Sequence, residues 1–227
     1  MRSLLALVVA CACRRACAIV VSGAGPAAQQ LPAATSRVSL LTSTPDELRD
    51  QFGWPKLNHA ASDKGDGVWS LIRKGIDPRA EDEAHLWNPN LISPKLRRLL
   101  EDECSPICAG MQTDSSIASD GTQKLLLRLE DELAVECVII PMLGGRTTSL
   151  CISSQVGCSR GCTFCSTGAM GLLRNLRAEE ILSQVWLAQR VIRKAKLPPL
   201  VNIVFMGMGE PLNNLEQVCC SVTGEGG

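Results

Sequence analysis

The stretch "CISSQVGCSRGCTFCSTG" sets Cys151, Cys158, Cys162 and Cys165 within fifteen residues, the densest concentration of reactive side chains in this 227-residue chain. Cys158, Cys162 and Cys165 have the spacing C-x3-C-x2-C, which lets one short loop offer three thiolates to a single inorganic centre. Three is the informative number. A four-iron cluster held by three cysteines keeps one iron free of protein ligands and able to chelate a substrate, whereas electron-carrier clusters are usually closed by four thiolates. A structural zinc site also takes four ligands, so a zinc reading needs Cys151 or Cys137 to complete the set, and spacing alone leaves it open. The three-cysteine spacing is a strong signal for a 4Fe-4S cluster that binds S-adenosylmethionine. Phe164, just before the last cysteine, fits that pattern, because an aromatic ring there can pack near the cofactor's adenine.

A second constellation is "MGMGEP". Gly207 and Gly209 allow backbone to approach a ligand closely, and Glu210 can accept hydrogen bonds from an ammonium group. A Gly-Glu-Pro turn could simply end a strand. Its place after a C-x3-C-x2-C loop makes it more specific, since the two would converge on the amino-acid portion of one S-adenosylmethionine.

The elements that must position these residues are legible in outline. "TTSLCISSQVG" reads as a strand and the cysteine cluster as the loop that leaves it. "AEEILSQVWLAQRVIRKAK" reads as a helix with Ile181, Val185, Ala188 and Ile192 on one face, stopped by Pro198 and Pro199. "LVNIVFMGMG" is a continuous apolar run, the pattern of a strand buried on both faces of a parallel sheet. Strand, loop, helix and strand form one βαβ unit, with the cysteines at the carboxyl end of its first strand, where α/β folds place their chemistry. Upstream, Leu125 to Leu129 and Leu133 to Ile140 flank Glu130-Asp131-Glu132 as a hairpin. Further upstream, "STPDELRDQFGWP", "GVWSLIRKGI" and "SPKLRRLLEDE" read as short helices, the first opened by a Ser or Thr cap with Pro45 at an early position. Their basic residues, Arg73, Lys74, Lys95, Arg97 and Arg98, read as a solvated face.

Composition narrows the class. Lys+Arg and Asp+Glu are both 23, so net charge gives no signal for nucleic acid. The first 45 residues hold Arg2, Arg14, Arg15 and Arg37 and no acid, which leaves the body mildly acidic. That opening, with an apolar run from Leu4 to Ala12 and small residues at Ala16 to Ala18, reads as a targeting presequence over residues 1–42. The run is shorter than the roughly 20 residues a membrane span needs, so no stable membrane insertion is expected. The twelve cysteines are clustered rather than spread as a disulfide framework would be, which favours a reducing compartment. The expected organisation is the presequence, a small helical module at 43–118, a hairpin and first βαβ unit at 119–218, and a tail at 219–227.

In these residues the chain resembles the radical S-adenosylmethionine methyltransferases that act on carbon 2 of adenosine in 23S rRNA and tRNA, the RlmN/Cfr class. The likeness is strongest in "DGTQKLLLRLEDELAVECVIIP", "LCISSQVGCSRGCTFCSTGAMGLLRNL", "AEEILSQVW" and "NIVFMGMGEPLNN". It is weaker in "FGWPK", "VWSLIRKGI" and "SPKLRRLLE", which look like that family's RNA-associated helical domain. The resemblance implies an α/β fold, the N-terminal part of a partial (β/α) barrel. By position it makes Cys158, Cys162 and Cys165 the cluster ligands, and Gly209 and Glu210 part of the S-adenosylmethionine site. Cys151 becomes the cysteine that resolves a covalent RNA adduct, and Glu136 the acid/base. It also implies RNA as partner, a small electron-transfer protein as reductant, and a monomer. In the family a methylated cysteine carries the methyl group to the electrophilic carbon after hydrogen removal by a 5′-deoxyadenosyl radical.

Two departures accompany the likeness. The stretch from Glu136 to Cys151 is about two residues longer here, around Gly144 and Gly145. After Gln217 the sequence runs "VCCSVTGEGG", where the family continues to its methyl-carrying cysteine; Cys219 and Cys220 do not match that carrier. The expectation is therefore a truncated member, with a non-catalytic cluster-binding or zinc-binding, RNA-associated fragment as the alternative. The presequence and a bacterial type of substrate suggest a plastid, or else a mitochondrion.

Overall fold

The computed structural model describes residues 37–57, 63–163 and 165–223. Most of the presequence expected from sequence, residues 1–36, lies outside them, as does Phe164.

The first folded unit is helical: α1 (Pro45–Phe52), α2 (Lys64–Arg73) and α3 (Pro94–Glu103), with a 3-10 segment at Glu81–Leu86. α1 begins as its sequence demands. Thr44 accepts from the Glu47 amide, Glu47 reaches back to the Thr44 amide, and Pro45 takes the first turn, where its missing N–H costs nothing. Leu48, Val68, Leu71, Ile72, Leu96 and Leu100 form the core of this unit. Leu40, placed in the presequence by the sequence reading, is 1% exposed and belongs to the same core. Val38, also assigned there, exchanges backbone hydrogen bonds with the Glu103–Ser105 segment, so the fold begins several residues earlier than the sequence suggests.

The second unit is a mixed sheet in the order β1-β2-β3-β4-β7: β1 (Gly110–Ile117), β2 (Gln123–Leu129), β3 (Ala134–Met142), β4 (Thr147–Cys151) and β7 (Leu200–Val204). The first four run antiparallel, and β4 pairs with β7 in parallel. The expected hairpin is β2–β3; Glu132 supplies its left-handed residue at φ +66°, a role more often filled by glycine. Strand β1 has no clear signal in its sequence: it is polar and exposed along nearly its whole length and is held by β2. Between β4 and β7 stands α5 (Ala178–Lys194), which buries Ile181, Ala188 and Ile192 against Leu125, Leu127, Val135, Cys137, Ile139 and Leu150.

Three sequence expectations change. The run Thr147 to Gly157 is not one strand; it breaks after Cys151, and β5 (Gln155–Gly157) pairs with β6 (Leu172–Asn175) in a separate ribbon. The cysteine loop, which includes a short helix α4 (Ser166–Ala169), therefore leaves β5 rather than β4. Strand β7 is an edge of the sheet and is not buried on both faces, with Val201 46% exposed. Finally, α6 (Leu215–Thr223) is a helix where a tail is expected, continuing from a 3-10 turn at Pro211–Asn214 and burying Val218.

Inside the helical unit Arg49 is 6% exposed and Asp63 fully buried. Burial pushes the Asp63 carboxyl upward, but the Leu57 and Asp66 amides and the Arg49 guanidinium outweigh it and hold it at about 2. Arg49→Ala removes the only cation paired with that buried carboxylate among the described residues and leaves it two amide donors, so the unfolding free energy of the chain is expected to fall by about 3–5 kcal/mol in chemical denaturation. A lowered native pKa contributes stability above the unfolded value, roughly 3.9. Wild-type stability should therefore lose this contribution as pH drops from about 4 through about 2; an unchanged Arg49→Ala midpoint would refute the account.

Candidate functional site

The carboxyl ends of β4 and β7 meet the start of β3 at one edge of the fold. Because β3 is antiparallel to β4, its first residues stand beside the last residues of β4. Glu136 and Val138 lie on one face of β3, and Val138 pairs with Cys151, so Glu136 and Cys151 share the face opposite the α5 core. Lys124, opposite Val138 on β2, lies on that face too, and its Nζ contacts Glu136 Oε1 at 3.0 Å. Cys151 is 9% exposed; burial raises its thiol pKa, and a hydrogen bond to the Met206 backbone opposes that only in part.

Beyond Cys151 the chain runs as Ile152–Gln155 through the interior, where every backbone polar group needs a partner. Ile152 N–H donates to Val204 O, and Ile152 O accepts from Gly207 N–H. The buried Gln184 side chain on α5 serves Ser153 at both ends, Oε1 accepting its amide at 2.8 Å and Nε2 donating to its carbonyl at 3.0 Å. The Ser154 and Gln155 amides donate to Met208 O, and the Ser154 carbonyl accepts from Asn214 Nδ2 at 2.8 Å. The Ser153 hydroxyl donates to Glu136 O and accepts from Met208 N–H, joining β3 to the loop after β7.

This close approach explains the glycines. A Cβ on Gly207 would lie 2.7 Å from Ser153 Oγ; Gly209, at φ +98°, would put one 2.5 Å from Gln155 Cβ. Gln155 Oε1 accepts the Glu210 amide at 2.9 Å, while its Nε2 donates to Asn175 on β6. The Glu210 carboxylate accepts from Leu212 N–H at 3.2 Å and caps the 3-10 turn. Gly207, Gly209 and Glu210 are thus fixed against the segment leading into the cysteine loop. The residues that fix them, Ser153, Gln155, Gln184, Asn175 and Asn214, were not singled out from sequence. For Ser153 and Gln155 the signal is a polar run, "SSQ", continuing an apolar strand into the interior; Gln184, Asn175 and Asn214 carry none.

The loop itself holds Cys158, 9% exposed, Cys162, exposed, and Cys165, half-buried, all free thiols. Cys158 Sγ accepts from the Arg160 amide at 3.5 Å, and Asn213 ties the loop down through Ser159 and Arg160. Hydrogen bonds from the Gly168 and Thr167 amides lower the Cys165 thiol pKa. Three soft sulfur donors without a carboxylate or imidazole suit iron–sulfur or zinc chemistry rather than a hard cation. The three are not gathered around a common point, and among the described residues no three metal-binding side chains stand close enough to hold an ion. Sequence spacing suggests such a gathering; thiolates repel one another, and bonds to a shared centre are what would draw them together.

Two outcomes follow. Asn214 Nδ2 also donates to Leu176 O at 2.8 Å, so Asn214→Ala leaves that buried carbonyl unpartnered and should cost about 1–3 kcal/mol in urea denaturation. In metal-free protein, the pH midpoint of alkylation should fall below the free-thiol value of about 8.5 for Cys165 and above it for Cys151. Site-resolved mass spectrometry checks this; coincident midpoints would remove the electrostatic distinction between the two thiols.

No family model matches the chain. It is 55% identical over 106 residues to a dual-specificity RNA methyltransferase RlmN of Lawsonia intracellularis, covering 44% of this chain and 30% of that protein. It is 42% identical over 135 residues to the protein of the same description from Phenylobacterium zucineum, covering 58% of this chain and 34% of the relative. The chain thus spans about a third of the length of these relatives. The crystal structure of a radical SAM methyltransferase from Sphaerobacter thermophilus is similar with a TM-score of 0.58 and 32% identity, over 81% of this chain and 50% of that one. Likeness in sequence and in fold agree: over the segment it shares with them the chain is similar to RlmN RNA methyltransferases, and its fold is similar to that of a radical SAM methyltransferase.

Proposed function

We propose that this chain carries the cluster- and S-adenosylmethionine-binding part of an RNA methyltransferase acting on carbon 2 of adenosine in 23S rRNA, tRNA or both. The observation that carries the reading is the joining of the two loops: the segment leading into Cys158, Cys162 and Cys165 shares its hydrogen bonds with the Gly207–Glu210 loop. Cys158, Cys162 and Cys165 would hold a 4Fe-4S cluster. Once bound, the cluster supplies the electron that cleaves S-adenosylmethionine and opens radical chemistry at an unreactive carbon.

The remaining roles fall to residues of the chain. The glycine loop admits the amino-acid end of S-adenosylmethionine against backbone, and the Glu210 carboxylate, with one contact made to Leu212 N–H, has lone pairs left for its ammonium. Burial raises the Cys151 thiol above its ordinary range, so it needs a base to become a nucleophile. Glu136 lies on the same face and pairs with Lys124, which supports the role of the carboxylate that would hold or move a proton there. This chemistry requires an RNA substrate and a low-potential electron carrier as partners. The acid-free, Arg-containing opening supports import into a plastid or mitochondrion; a reporter fused to residues 1–45 that stays cytosolic would overturn that assignment.

Anaerobic reconstitution of the full chain with ferrous iron and sulfide tests the reading. About four irons per chain are expected, with loss of most of the iron in Cys158→Ala, Cys162→Ala and Cys165→Ala and none in Cys151→Ala. Under a strong reductant the loaded protein should convert S-adenosylmethionine to 5′-deoxyadenosine, and Glu210→Ala should slow this by about tenfold or more, the loss of a charge-assisted contact. Stoichiometric zinc without iron would replace the proposal with a structural metal module.

A further inference from the structure

The helical unit meets α5 at a seam that none of the chemistry above uses. Glu83, 2% exposed, receives Arg193 at 2.8 Å, Arg190 at 3.2 Å and Lys194 at 3.9 Å. Arg193 also donates to Gly75 O, and a Cβ on Gly75 would lie 2.4 Å from the Arg190 amide, so the two units lie in direct backbone contact. Beside this contact is a cavity of about 390 Å³ whose lining includes Arg73, Lys74, Arg193 and Lys196 and no carboxylate. Arg73, Lys74 and Lys196 are exposed and make no ion pair among the described residues. The Arg193 Nε–H is buried without a hydrogen-bond partner.

The C-termini of α2 and α5 both end here, and basic residues at helix C-termini often do no more than balance the helix dipole. The balance is exceeded. Arg73, Lys74, Arg190, Arg193, Lys194 and Lys196 bring six positive charges; Glu83 cancels one, and two helix C-termini together count for about one more. Asp77 is matched by Arg79 at 3.0 Å. A surplus of about four positive charges remains around a concave surface on a chain of zero net charge.

We infer that this seam is an anion site for backbone phosphates of the RNA substrate, an inference that rests on the RNA-methylation reading. Its location defines the substrate class further. Helix α5 has 17 residues and so is about 25 Å long. Its N-terminal end adjoins the site residues, through Leu176 and Asn214, while the seam lies at its C-terminal end. An RNA that places an adenosine at Cys151 and a phosphate at the seam must bridge roughly that distance around the protein. A folded RNA does so, and a single strand does so only from about eight nucleotides upward, at roughly 3.4 Å each; a tetranucleotide does not.

The test is fluorescence anisotropy of the full chain with a folded tRNA transcript and with a four-nucleotide single strand. Lys74→Gln with Lys196→Gln should weaken tRNA binding about tenfold at 0.1 M salt and lower the slope of log K against log salt by about 1 to 2, leaving the short strand within twofold. Lys95→Gln with Arg98→Gln, the same charge change on the exposed face of α3, should leave tRNA binding within twofold, and Lys74→Arg with Lys196→Arg should retain wild-type affinity. Equal losses in the α3 and seam variants, or no loss in either, overturn the seam site while leaving RNA methylation standing. A wild-type chain that binds neither RNA overturns the substrate reading and the seam contact with it.

Discussion

Four residues of chain, Ile152–Gln155, pass through the interior in a conformation that belongs to no strand long enough to satisfy them. A buried amide or carbonyl without a partner costs about 1–3 kcal/mol, so the region folds only if partners arrive from elsewhere. They come from four directions: Val204 at the end of β7 with Gly207 and Met208 beyond it, Gln184 from α5, Asn214 from the turn before α6, and the Leu176 amide just after β6. Satisfying this segment therefore fixes the loop after β7, the rotation of α5 and the seat of α6 together. Small residues at Gly207 and Gly209 are a consequence, because a side chain at either would hold the two backbones too far apart for those bonds.

Ion pairs extend this arrangement outward. Arg174 on β6 makes a two-pronged contact with Glu180, 1% exposed on α5, and a further bond to Asp131 in the β2–β3 turn. The ribbon that carries the cysteine loop is thereby tied to the helix and to the hairpin at once. Such a pair contributes little net stability when formed from solvated charges, yet it is costly to break once one partner is buried, so it specifies position more than it adds free energy. Glu83 does the same for the helical unit at the other end of α5.

Much of this is legible in the sequence. The α5 face, the β2–β3 hairpin, the Thr44 cap and the parallel pairing of β4 with β7 follow from periodicity and capping chemistry, which are local. Strand β1 was not legible, because its polar sequence has no buried face and it forms only because β2 offers an edge. The break at Cys151 was hidden for a related reason: "CISSQVG" has strand-like composition, and only the competing demand of Gln184 and Met208 for its backbone ends the ladder there. At the site, the cysteines, glycines and Glu210 stood out by type and spacing. Gln184 and Asn214 did not, since a buried amide that serves a distant backbone leaves no trace in its own neighbourhood.

The switch in strand direction gives the placement of Glu136 and Cys151 its physical basis. A strand with two parallel neighbours gathers only strand ends at its carboxyl edge. Strand β4 has β3 antiparallel on one side and β7 parallel on the other. Its carboxyl end therefore gathers the beginning of β3, with Glu136, and the loop following β7, with Glu210. The period of two along β3 then sets Glu136 and the partner of Cys151 on one face, away from α5. A carboxylate, a thiol and a glycine-lined loop thus reach the same edge from positions 136, 151 and 207–210. Moving Glu136 by one residue along β3 would turn it into the apolar core, so the register of an ordinary antiparallel pair decides whether that edge carries a proton acceptor.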